Sequence, residues 1–104
     1  MIKTILENIN NSIPENIKLD FRKRIVTRST NFIQFSNELR QMAYNNFDIK
    51  NTLFKNNEDV LHFSGDILAK TLYSFWINEG DIESHFTNSL HETFYHAGFE
   101  LPEN

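Results

Sequence analysis

The segment His91-Glu92-Thr93-Phe94-Tyr95-His96 sets a glutamate between two histidines. These are the residue types with which zinc hydrolases hold a metal and activate water. In that chemistry the imidazoles stand four residues apart, one helical turn, so that both reach one ion. Here they stand five apart, and on a helix of 3.6 residues per turn the rings diverge by about 140°. A second grouping, His85, Glu92 and His96, falls within a sector of about 40° on an ideal helix, but His85 and Glu92 are then about 10 Å apart along the axis. One ion cannot be held that way by one helix. No metal is therefore expected, and the three side chains read as polar groups on a solvated face. His62, flanked by Val60, Leu61 and Phe63, reads as a satisfied structural histidine. No catalytic constellation or cofactor motif is found, and three glycines without a Gly-rich loop remove the phosphate-loop and dinucleotide-binding readings.

The remaining chemistry is that of charge. The net charge of -4 conceals an asymmetry. Residues 1 to 55 carry nine Lys/Arg against five Asp/Glu, a net +4, whereas residues 56 to 104 carry Lys70 alone against nine acids, a net -8. Such a division points to a charged partner. On the basic side, Arg22, Lys23, Arg24 and Arg28 in the stretch RKRIVTR are placed to track phosphates from one helix. Eight net negative charges on the other half would oppose that use. On the acidic side, Asp66, Glu79, Asp81, Glu83 and Glu92 fall on the last two helices and their joining turn. They are expected to surround the outward Tyr95, joined by Tyr73 or Trp76, as a charged rim around aromatic contacts.

The elements that must position these groups follow from apolar spacing. Ile2, Ile5, Leu6, Ile9 and Ile13 form one helical stripe. Ser12-Ile13-Pro14-Glu15 has the form of a capping box with Pro just inside the helix start, which places a second N-terminus near Ser12. Ile17, Phe21 and Ile25 continue at helical spacing, although the alternation in IKLDF, residues 17 to 21, also fits a short strand. From Thr30 or Asn31, residues Phe32, Phe35, Leu39, Met42 and Ala43 predict a third helix that ends at Asn45 and Asn46. Residues 48 to 57 read as a single helical turn or a packed loop. Asn57 then caps a long helix to about Asn78, with Glu58 and Asp59 in its first turn. Its apolar girth marks it as central, and the small pair Gly65 and Ala69 marks a place where a neighbouring backbone comes close. Gly80 suits the C-cap and Asp81 the next N-cap; Ile82, Phe86, Leu90, Thr93, Phe94 and Ala97 give the buried face of a last helix that stops at Gly98, beyond which Phe99 and Pro102 follow.

The fold class expected is therefore all-α, one domain covering residues 1 to 104 as a bundle of about five helices. Ten phenylalanines and 39% hydrophobic residues suffice for its core. Without cysteine the chain has no disulfide. No leader or spanning segment is read at its start, so a soluble, unprocessed, cytoplasmic protein is expected, with no membrane partner. In size, helical layout, lack of cysteine and acidic face the whole chain resembles the small helical immunity proteins that bacteria pair with nuclease toxins, as in colicin and contact-dependent growth inhibition systems. The resemblance includes no motif, so no residue role is carried over from it. It implies a non-enzymatic inhibitor whose acidic side chains block the basic groove of a cognate nuclease toxin. Partner-binding residues would be Asp66, Glu79, Asp81, Glu83, Glu92 and Tyr95. The alternative is a nucleic-acid-binding protein, or a phage-encoded anti-defence protein, that uses the basic helix Arg22 to Arg28.

Overall fold

Apolar side chains from every helix meet in one cluster, and the helices are best described by what they contribute to it. The computed structural model describes residues 1–23 and 30–98. Among them there are seven helices and no strand: α1 (Ile2–Ser12), α2 (Glu15–Lys23), α3 (Thr30–Asn45), α4 (Phe47–Thr52), α5 (Glu58–His62), α6 (Ser64–Asn78) and α7 (Ile82–Ala97). The all-α class stands, whereas the expected count of about five becomes seven. One of the two additions is α4, in the segment read as a single helical turn or a packed loop, where a six-residue helix forms. The other arises because the long helix from Asn57 to Asn78 is broken at Phe63 (φ -97°, ψ 6°), whose backbone N–H turns back to Val60 and Leu61. Two separate helices, α5 and α6, result. The IKLDF stretch is helical, inside α2.

Local chemistry accounts for several of the boundaries. The Asn46 side chain accepts the N–H groups of Asp48 and Ile49 (3.0 and 3.3 Å), and Asn57 accepts those of Asp59 and Val60 at the same distances. Each satisfies donors that a helix start leaves unpaired. Ser12 does not act this way. Its hydroxyl turns back to the Ile9 carbonyl at 2.7 Å, closing α1, and α2 begins at Glu15 with the Pro14 carbonyl accepting from Ile17 and Lys18. Gly98 closes α7 in the left-handed conformation at φ 76°.

α6 is the axis of the fold, packed against α2, α3, α5 and α7. Ile67, Leu68, Ala69 and Leu72 are wholly buried on it. α3 comes close at Gly65, where an added Cβ would fall on the Ser36 carbonyl oxygen and lie 2.9 Å from the Ser36 hydroxyl. Glycine is there because two backbones touch. The Ser36 hydroxyl donates to Asp66 at 2.8 Å beside that contact. Trp76, expected as one of the outward aromatics, is instead 4% exposed. Its ring stacks on Phe21 and packs beside Phe35, and its indole N–H donates to Asn10 at 2.7 Å. Burial on this scale needs such a partner for the indole. On α7, Ala97 is exposed and Ser89 is buried in its stead.

Candidate functional site

The turn from α6 to α7 is built against local preference. Glu79 closes α6 with φ 55° and ψ -151°, a region that is essentially reserved for glycine and costs a side-chain-bearing residue about 1–3 kcal/mol. The glycine foreseen as the C-cap, Gly80, stands one position later, also at positive φ (87°). His85 holds this geometry in place. Its Nε2 lies 2.6 Å from the Glu79 carbonyl oxygen, which requires an N–H there, and its Nδ1 meets the Ser74 hydroxyl at 2.9 Å. One ring thus ties the first turn of α7 to the last turns of α6. Both of its nitrogens are used within the fold, and among the described residues no group of three metal-ligating side chains comes together.

Asp81, the residue before α7, takes the Ser84 hydroxyl on its carboxylate at 2.9 Å. That bond, with smaller help from the neighbouring backbone and from Lys3, holds its pKa below the ordinary aspartate range. Glu79, Asp81 and Glu83 are all exposed, and none forms an ion pair among the described residues.

α7 stands as a ridge between two grooves. One, about 780 Å³, separates it from the α4–α5 connection and is lined by Ile2, Leu53, Phe54, Lys55, Val60, Asp81, Glu83, Phe86, Thr87, Leu90 and His91 among others. The other, about 600 Å³, lies towards α3 and α6 and is lined by Phe32, Lys70, Tyr73, Ser74, His85, Glu92 and His96. Asn88 lines both and so marks the crest. Tyr95, 81% exposed, lies further along the same side of the helix, with its ring edge-on to His96. Glu83 and Glu92 flank this crest on opposite sides, as nine residues or two and a half helical turns require. The grouping His85, Glu92 and His96 is therefore real as one wall of a groove, while His91 faces the other groove.

The six residues singled out as a partner surface are thus not one cluster. Glu79, Asp81 and Glu83 gather at the α6–α7 turn. Glu92 and Tyr95 lie farther along α7, with Glu92 about 14 Å beyond Glu83 by helical rise. Asp66 is exposed near the opposite end of α6, about 20 Å from Glu79, and is bonded to Ser36. Tyr73 is half-buried against Phe32. His62 is exposed with its ring against Phe63, not enclosed in the core. Of the basic stretch, Arg22 is exposed on α2, and Arg24 to Arg28 lie outside the described residues. Sequence reasoning missed Glu79's conformation and the groove residues Lys55 and Thr87. The nine-residue interval between Glu83 and Glu92 was the available signal that the acids divide over two flanks.

No helix among the described residues is long and apolar enough to cross a membrane. No protein-family model matches the chain, and neither a curated protein nor a solved structure does.

Proposed function

We propose that the chain is a non-enzymatic binding protein that presents the α6–α7 turn and the α7 ridge to a basic protein partner, in the manner of an immunity protein that blocks the groove of a nuclease toxin. The observation that carries this reading is Glu79. A glutamate is kept, exposed and without an ion pair among the described residues, in a backbone conformation that glycine adopts more cheaply. Strain of that kind clusters at functional sites, which is the ground for assigning the Glu79 side chain a use outside the fold. Asp81 and Glu83 stand beside it, and Glu92 lies across the crest, so a partner straddling α7 meets carboxylates on both flanks and Tyr95 on the crest. A standard interface takes about 800 Å² per partner, roughly an eighth of the 6629 Å² surface. Asp66, at the other end of α6, falls outside such a footprint.

The test is a titration of a basic nuclease toxin encoded beside this chain's gene. One-to-one suppression of nuclease activity is expected. Glu79→Lys with Glu83→Lys should slow association, because rim charges act mainly on the on-rate. Tyr95→Ala should raise the dissociation rate, and Arg22→Glu with Arg24→Glu should leave the complex intact. If the arginine changes abolish binding to RNA or DNA while the α7 changes do nothing, the basic helix is the functional surface and this reading is wrong.

A further inference from the structure

The two grooves beside α7 differ in what they could receive. The groove towards α6 presents Lys70, Tyr73, Ser74, His85, Glu92 and His96, mixed in charge and partly engaged with one another. The groove towards the α4–α5 connection is built differently. Its floor is Leu53, Phe54, Val60 and Phe86, and the half-buried Ile2 and Leu90 supply apolar surface that an incoming group can reach. At the α7 N-terminal end its rim is acidic, with Asp81 and Glu83. Lys3 acts on Asp81 from α1, whereas Glu83 forms no ion pair among the described residues. Lys55 stands on the other wall, held at φ 52° beside Asn56 at φ 54°.

We infer that this groove is a docking site for an extended segment of the partner in which an apolar side chain is flanked by a lysine or arginine. The apolar group enters against Ile2 and Leu90. The cation meets Glu83 and Asp81, and Lys55 on the facing wall takes a backbone carbonyl of the segment. Charge complementarity commits the occupant: an acidic segment would place its carboxylate against two others at the α7 end. Burial of a leucine-sized side chain contributes most of the affinity, and an exposed ion pair contributes selectivity more than strength. The inference rests on the reading of the chain as a binder of basic protein, and adds what part of such a protein is gripped.

The test uses the whole chain, labelled with ¹⁵N, and a hexapeptide of alternating arginine and leucine, with its glutamate and leucine counterpart as control. Saturable amide shifts at Leu53, Phe54, Glu83 and Leu90 are expected with the arginine peptide and not with the control. Thr87→Trp fills the groove from an exposed position. It should weaken the arginine peptide at least tenfold while the melting temperature stays within about 2 °C, a shift of a few tenths of a kcal/mol. Glu83→Gln should weaken it two- to fivefold, the range of an exposed pair. Shifts confined to Glu79, Gly80 and Asp81 would overturn the groove inference and leave the basic-partner reading standing. Equal shifts with both peptides, or none with either, would overturn it as well, and the toxin titration then decides the parent reading separately.

Discussion

The crossing of α3 with α6 and the turn from α6 to α7 use glycine in opposite ways. At the crossing, Gly65 is the residue that lets two backbones touch, and the Ser36 hydroxyl beside it is bonded to Asp66. At the turn, a conformation suited to glycine is occupied by Glu79, and the surrounding carboxylates gain no ion pair from the fold among the described residues. The turn carries a backbone cost that the crossing does not, offset within the fold by the His85 contact to the Glu79 carbonyl, and the proposed partner surface rests on that difference.

The contrast breaks most visibly at Gly65. Gly65→Ala places a methyl on the Ser36 carbonyl oxygen, and overpacking against backbone should cost about 3 kcal/mol, a fall in melting temperature of more than 10 °C in a domain this size. Thermal unfolding followed by circular dichroism measures it. His85→Ala removes the ring that ties Ser74 to the Glu79 carbonyl and should cost about 1–2 kcal/mol in urea unfolding. The opposite sign is expected for Glu79→Gly, a gain of about 1 kcal/mol once glycine's own entropy is set against the relieved strain, with weaker partner binding. Combining the two changes should give a loss smaller than the sum of the separate effects implies, since removing the His85 brace costs less where the turn no longer carries Glu79's strain. A loss of stability in Glu79→Gly would remove the contrast altogether.

The smallest effect concerns pH. Asp81 titrates below the ordinary aspartate range chiefly because Ser84 donates to it. A depressed folded pKa adds stability above the unfolded value and loses it as pH falls through the folded one. Ser84→Ala should therefore move the Asp81 carboxyl upward towards the ordinary value, read by NMR titration between about pH 2 and 6, and narrow the acid range over which the protein stays folded. An unchanged titration would show that the backbone, not Ser84, sets the shift.

Local signals carried much of this fold. Asn46, Asn57 and Gly98 mark boundaries because each acts on its own neighbours, and the α1, α3 and α7 stripes follow from spacing alone. The break at Phe63 was hidden because apolar residues continue through it: Val60 and Leu61 before, Ile67 and Leu68 after, all buried. Periodicity cannot show where a helix changes direction when both parts bury the same side. Trp76 was misplaced for a related reason, since α6 is apolar around most of its girth and residues distant in sequence, Phe21, Phe35 and Asn10, decide which side is covered. Ser12 illustrates a different limit. A serine three residues before a glutamate can cap forwards or close backwards, and here it bonds to Ile9. For the site, Glu79, Asp81 and Glu83 were legible as a group because they adjoin a turn. The grooves were not, as they arise from elements distant in sequence.

Trp76 is the sole tryptophan, and its surroundings make it a spectroscopic gauge of one half of the molecule. Its indole N–H reaches α1 through Asn10, and its ring lies on Phe21 of α2 and beside Phe35 of α3. Detachment of any of the three helices would wet the ring and move its fluorescence to longer wavelength. Neither groove beside α7 includes it. A ligand that shifts α7 amides while the emission stays fixed has therefore bound at the ridge without loosening the contacts of α1, α2 and α3 around the indole. One that reddens the emission has instead begun to unfold it.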